Sequence, residues 1–251
     1  MVGRRLRVDL MDRIFIKDTV ITGEDFRHVI KSQRHTLGDT LEVVLDEELY
    51  LAEIYEVSKN SFSVKLLEEI KEDTNKLKIY LFQGYIPKKK MEHVFKMNGM
   101  LGVEKFIPTI TERCYEKRIE DFSNERCYSI LKDSAEVSKS IKIPEISENM
   151  EFKEAIEFSK TLDYSVILYE DENVNCIYDF LKDVDVTYPR ESSIGIFVGP
   201  EGGFSEEEVS FAKDRGVKSI RLFRNILRTE YAAFSAISSM LTYYERTKYE
   251  G

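Results

Sequence analysis

The sequence predicts an α/β fold, a mostly parallel sheet with helices, preceded by a small β domain. Three observations carry that expectation. Short strand-like runs crowd the first 70 or so residues, a polar stretch then interrupts them, and buried strands alternate with helical patterns from there onward. With 251 residues, 42% hydrophobic, 33% charged and only 12 Gly and 5 Pro, the chain can bury a core and is neither disordered nor low in complexity.

In order, Arg13 to Ile16, Leu41 to Leu45, Leu49 to Val57 and Ser61 to Leu67 are rich in aliphatic, β-branched or aromatic residues. The turn-like Leu37-Gly38-Asp39, Asp46-Glu47-Glu48 and Lys59-Asn60 separate them, which implies a β-barrel or sandwich over residues 1–72. Glu68 to Lys76 reads as a linker, so a second domain covers residues 73–251. There Leu77 to Phe82, Lys105 to Ile110, Ser165 to Tyr169, Ile194 to Val198 and Lys218 to Leu222 read as buried strands. Met91 to Leu101, Phe122 to Lys139, Phe152 to Ser159, Val174 to Leu181 and Ser205 to Arg215 read as helices between them, and Tyr231 to Tyr243 as the last helix.

The 37 basic and 46 acidic residues leave a net charge of −9, which argues against a nucleic-acid partner. The sum hides a split. Residues 83–118 hold Lys88, Lys89, Lys90, Lys96, Lys105, Arg113, Lys117 and Arg118 against Glu92, Glu104, Glu112 and Glu116. A phosphate-contacting face on an acidic body and a merely solvated lysine surface both fit this pattern. No uncharged apolar run approaches the roughly 18 residues that span a bilayer. The opening MVGRRLRVDLMDR has no apolar segment behind its charge, so a cytoplasmic location is expected. Cys114, Cys127 and Cys176 lack paired spacing and His28, His35 and His93 are scattered, so no metal centre is expected.

Gly199-Pro200-Glu201-Gly202-Gly203 follows the strand ending at Val198 and opens a helix. Ligands of open α/β sheets sit at the carboxyl ends of strands, where glycines admit close approach; a plain tight turn is the other reading. Phosphate-loop spacings are absent, which disfavours a nucleotide phosphotransferase. Ser205 with Glu208 forms a capping box, Phe204 and Val209 occupy staple positions, and Glu206 and Glu207 add negative charge. That helix start suits a neutral or cationic ligand better than an anion. A second cluster, Arg221 to Ala233, leads into the last helix. Thr229 can cap it and Glu230 would sit in its first turn. Arg224 and Arg228 fit RNA phosphate, charge stabilisation on a reacting base, pairing of Arg228 with Glu230, or plain exposure.

GPEGGFSEEEV followed by ILRTEYAA resembles the paired signature of the RsmE-type small-subunit ribosomal RNA uridine N3-methyltransferases, in the SPOUT superfamily. Leu77 to Gln83, Leu101-Gly102-Val103, Ile107-Pro108, Thr111-Glu112-Arg113 and Ala135 to Ser138 are similar to the family's middle segments. His28, Arg34, Gly38 and Asp39 resemble its H…R…GD segment. The resemblance implies a PUA-like β-barrel that helps hold RNA, joined to a trefoil-knotted SPOUT domain, a homodimer, and S-adenosylmethionine as cofactor. It also implies methylation of a uridine N3 in small-subunit (16S) ribosomal RNA.

By the same resemblance, Leu168, Tyr169, Glu170, Val198, Gly199, Pro200, Glu201, Gly202, Gly203, Leu222, Phe223, Ile226, Leu227, Arg228, Thr229 and Ala232 would bind the cofactor. Arg228 would stabilise the uracil anion, and Glu230 is a candidate base, although capping would explain it equally well. His28, Arg34, Lys88, Lys89, Lys90, Lys96 and Arg113 would meet RNA. Phe223 stands where the family carries glycine and Tyr231 replaces a small hydroxyl residue, and a bulky ring there could narrow the pocket. Gly99-Met100, Val137, Ser140 and Ser32-Gln33 also depart from the family pattern. The rival reading is a non-catalytic RNA-binding or ribosome-assembly module with a degenerate cofactor site.

Overall fold

The computed structural model describes residues 12–72, 77–114, 121–122, 124–187 and 190–249. The chain divides into two compact units, one of residues 1–73 with 139–142, the other of 74–138 with 143–251. Lys117 and Arg118 of the basic stretch lie outside the described residues, as does the end of the polar linker.

The first unit contains β1 (Arg13–Phe15), β2 (Val20–Thr22), a single turn α1 (Gly23–Phe26) continued as a π-helix over Arg27–Ser32, β3 (Thr40–Leu45), β4 (Glu48–Val57) and β5 (Ser61–Glu69). The strands form one sheet in the order β1-β3-β4-β5-β2. Asp46 and Glu47, both at positive φ, make the tight turn between antiparallel β3 and β4. Alternate residues Leu41, Val43, Ala52, Ile54, Phe62 and Val64 bury one face with Phe26 and Val29 of the helical segment. That segment and β2 have no counterpart among the predicted elements; both are too short for a periodic signal.

The second unit runs β6 (Leu77–Gly84), α2 (Lys88–Gly99), β7 (Lys105–Ile110), α3 (Glu125–Val137), β8 (Glu145–Ile146), β9 (Met150–Glu151), α4 (Phe152–Ser159), β10 (Tyr164–Leu168), α5 (Ile177–Asp183), β11 (Ser192–Val198), α6 (Glu206–Lys213), β12 (Lys218–Ile220) and α7 (Thr229–Tyr249). The sheet order is β12-β10-β11-β6-β7-β8, with β9 also on β7, and every pairing is parallel. Neighbouring residues face opposite sides. Leu81, Val166 and Ile196 pack with α2, α3, α5 and α7, while Phe82, Ile167 and Phe197 pack with α4 and α6. Cover on both faces explains the unbroken apolar runs read as buried strands. Among the described residues no helix is long and apolar enough to cross a membrane.

Several boundaries differ from expectation for local reasons. The helix expected from Phe122 starts at Glu125 because Asn124 caps it, its Oδ1 accepting the Cys127 amide at 3.1 Å. The helix expected from Val174 starts at Ile177, after a turn organised by Glu172, whose carboxylate accepts the Val174 amide at 3.0 Å. The last strand stops at Ile220 because the Arg221 amide donates to the Asn175 carbonyl at 2.9 Å instead.

Candidate functional site

Parallel register brings the ends of β6, β10, β11 and β12 to one edge, with Gln83 beside Val198 and Leu168 beside Ile220. The loop after β11 closes through the Gly203 amide, which donates to the Pro200 carbonyl at 3.0 Å. Gly203 has φ +67°, a conformation that calls for glycine, and a Cβ there would lie 2.7 Å from Glu170 Oε1 and force that carboxylate to shift. A Cβ on Gly84 would lie 2.5 Å from the Pro200 nitrogen, so the end of β6 meets the loop backbone to backbone. The capping box forms as expected. Ser205 Oγ accepts the Glu208 amide at 3.2 Å and Glu208 Oε2 accepts the Ser205 amide at 3.0 Å, with Phe204 and Val209 buried.

The segment after β12 is held by the loop after β10. Besides the Arg221–Asn175 bond, the Ile177 amide donates to the Arg221 carbonyl at 3.2 Å. Glu172 anchors that loop, its second oxygen 3.2 Å from Lys213 Nζ. Burial, the largest single influence, pushes its pKa up, but the Val174 amide and Lys213 outweigh it and lower it to about 2.

At the start of α7 the Arg228 carbonyl accepts the Tyr231 and Ala232 amides, both at 2.9 Å, so Arg228 occupies the cap position. Thr229 is therefore not the side-chain cap the sequence suggests. Its hydroxyl donates to the Gly199 carbonyl at 2.6 Å and accepts from Gln83 Nε2 at 2.8 Å. Glu230 is 7% exposed, and its Oε2 has no hydrogen-bond partner among the described residues. The alternative Arg228–Glu230 ion pair does not form, and Arg228 is exposed.

These segments enclose a cavity of about 410 Å³, within the roughly 300–1,000 Å³ of small-molecule sites. Every residue expected to bind the cofactor lines it except Gly202, together with Glu230 and, beyond expectation, Lys90, Arg221, Arg224 and Asn225. Gly202 turns away toward Arg113, which donates to its carbonyl at 3.1 Å and so braces the loop from outside. Lys90 hydrogen-bonds Glu201 across the mouth, and that bond raises the lysine's pKa. The lining thus carries both carboxylates (Glu170, Glu201, Glu230) and cations (Lys90, Arg221, Arg224, Arg228).

Phe223 is 48% exposed on the rim and Tyr231 is 52% exposed, turned toward His93 with ring centroids 6.2 Å apart. The cavity stays open. Gly99 serves packing, since a Cβ there would come within 3.1 Å of Leu131 and Ser134 on α3. Of the expected RNA contacts, Lys88, Lys89 and Lys96 are exposed on α2, and His28 and Arg34 are exposed within the first unit. The residues sequence reasoning missed as part of the site include Gln83, which lies outside both motifs, at the end of a segment noted only for its likeness to the family.

Residues 73–241 match the family model described as an RNA methyltransferase domain. The chain is 27% identical over 226 residues to the ribosomal RNA small subunit methyltransferase E of Bacillus subtilis, covering 88% of each. It is 30% identical over 198 residues to that of Rickettsia conorii, covering 76% of this chain and 75% of the relative. A Legionella pneumophila methyltransferase solved with its bound cofactor SAM superimposes with a TM-score of 0.76 at 25% identity, over 92% of this chain and 97% of that one. A ribosomal RNA small subunit methyltransferase E from Neisseria gonorrhoeae, bound to S-adenosyl methionine, gives a TM-score of 0.76 at 23% identity and shows the same fold over 93% of this chain and 98% of that one.

Proposed function

We propose, from the premise that this chain belongs to the RNA methyltransferase domain family, and within it to the ribosomal RNA small subunit methyltransferase E proteins, that it is a methyltransferase using S-adenosylmethionine to methylate 16S ribosomal RNA. The observation that carries the reading is the meeting of the two motifs, Gly199 to Gly203 and Leu227 to Glu230, on one cavity at the carboxyl edge of a parallel sheet. The residues fit the cofactor. The volume is that of a small-molecule site, glycine backbone forms one wall, and carboxylates of Glu170, Glu201 and Glu230 suit a positively charged sulfur while the rim cations suit a carboxylate. When bound, S-adenosylmethionine supplies an electrophilic methyl group on that sulfur.

The finer reading is that the acceptor is N3 of a uridine. Arg228, exposed at the rim with no ion pair among the described residues, would stabilise negative charge on the uracil oxygens. Glu230 would accept the imide proton at Oε2, which has no partner among the described residues; its place in the first turn of α7, where the helix dipole favours a carboxylate, accounts for it equally well. The first unit would be the PUA-like RNA-binding domain (residues 1–72) and the rest a SPOUT domain with a trefoil knot (73–251). A cytoplasmic homodimer completes the proposal, and the exposed Phe223 and Ile226 beside the cavity offer apolar surface to a second copy. His28 and Arg34 in the first unit, and Lys88, Lys89 and Lys96 on α2, would hold RNA; Lys90 and Arg113 would act on the cofactor loop.

Mass spectrometry of ribosomal RNA nucleosides tests the reading. Cells lacking the chain should lose one 3-methyluridine from 16S RNA, and an unchanged level would overturn it. The non-catalytic alternative predicts no cofactor binding by calorimetry until Phe223→Gly opens the site; the exposed position of Phe223 favours binding by the natural chain.

A further inference from the structure

We infer that Gln83 is a positioning residue that locks the cofactor loop to the start of α7, with stability given up to do so. The inference rests on the cofactor reading of the cavity, yet Gln83 does not line that cavity. Its side chain is fully buried at the end of β6, beside Val198 in register. Nε2 donates to Thr229 Oγ1 at 2.8 Å and to the Gly84 carbonyl at 3.1 Å, and stands 3.5 Å from the Gly199 carbonyl. Because the Thr229 hydroxyl accepts from Gln83, its own proton is directed onto the Gly199 carbonyl, 2.6 Å away. One relay therefore joins three segments far apart in sequence: β6, the glycine loop and the first turn of α7.

The relay has a consequence for the other end of the amide. Among the described residues Gln83 Oε1 is buried without a hydrogen-bond partner. Turning the amide over would set Oε1 against the Gly84 and Gly199 carbonyl oxygens and would keep the Thr229 contact only by taking the hydroxyl proton away from the Gly199 carbonyl, so the orphaned acceptor is inherent to the arrangement. A buried acceptor left unpaired is unfavourable, and an apolar residue of similar shape would avoid it. The position keeps an amide because the loop needs to be held, not because the core needs it filled.

Full-length Gln83→Met keeps the volume and removes both the relay and the orphaned oxygen. Two measurements compare it with the natural chain: amide hydrogen exchange of residues 199 and 201–203 in the free protein, and S-adenosylmethionine affinity by calorimetry. The variant should exchange faster at those amides and bind about tenfold more weakly, about 1.4 kcal/mol, while its melting temperature stays level or rises. Unchanged exchange or unchanged affinity overturns the inference. So does a fall in melting temperature with faster exchange throughout the sheet, which marks an ordinary core residue. Should the natural chain bind no S-adenosylmethionine, the cofactor reading fails separately and the exchange measurement alone decides on Gln83. If Gln83→Met does not fold, Thr229→Val breaks the same relay and is read by the same two measurements.

Discussion

Arg228 and Glu230 flank a threonine that faces inward, and the three side chains are used differently: one exposed, one bonded, one buried with a free oxygen. Arg228→Ala should lower kcat by about 10²–10³ with a smaller change in cofactor affinity, checked by single-turnover rates and calorimetry. Equal rates would remove the guanidinium from the chemistry. Glu230→Gln should lower kcat by at least about 10², measured as a single-turnover rate, because the amide cannot accept the imide proton. Gly203→Ala meets both a left-handed backbone and the Glu170 carboxylate, so it should destabilise the chain by about 1 kcal/mol or more and weaken cofactor binding, read by thermal denaturation and calorimetry. The glycines and Arg228 were legible as motifs, whereas Thr229 was misread. A threonine ahead of a helix is a good cap on local grounds, and only the fold reveals a carbonyl 2.6 Å away on the loop after β11.

Elements that carry their own chemistry were read best. The capping box at α6 and the apolar runs of β6, β7, β10 and β11 follow from side-chain types and spacing alone. Strands β8 and β9 span two residues each and exist only because β7 pairs with them, Lys105 with Glu145 and Thr109 with Met150, so no local pattern announces them. Ser205→Ala removes the cap of α6 and a 2.7 Å bond to Glu112, and should cost about 1 kcal/mol in chemical denaturation. The Glu172 turn makes a pH prediction. Its folded-state pKa, about 2, lies below the ordinary 4.5, so the carboxylate stabilises the fold at neutral pH and that contribution disappears as pH falls from about 4.5 toward 2. Melting temperatures of Glu172→Gln should be lower than those of the natural chain at pH 7 and converge with them near pH 2.

At the scale of the molecule, a chain with net charge −9 is asked to hold a polyanion, which is possible only through local concentration of positive charge. Lys89, His93 and Lys96 lie on one exposed face of α2, spaced one and two helical turns apart. Replacing Lys89 and Lys96 with alanine should reduce the slope of log affinity against log salt by roughly 1.4 for a single-stranded site; an unaltered slope would leave these lysines merely solvated. A small, mostly antiparallel sheet with one buried face and a parallel one covered on both sides are written in different periods, which is the change of rhythm along the sequence. The walls of the cavity were brought together in the sequence only through the family resemblance, and Lys90 was not among them, since no local pattern joins residues as distant as Lys90 and Ala232. A copy truncated anywhere ahead of the last helix therefore lacks part of the donor's receptacle, however well its remainder folds. Only finished molecules can gain the protection that a tightly held small molecule confers, about 2.7 kcal/mol at a hundredfold excess over its dissociation constant. The methyl donor would thus act as an inspector of completeness, sparing whole chains and leaving clipped ones to proteolysis.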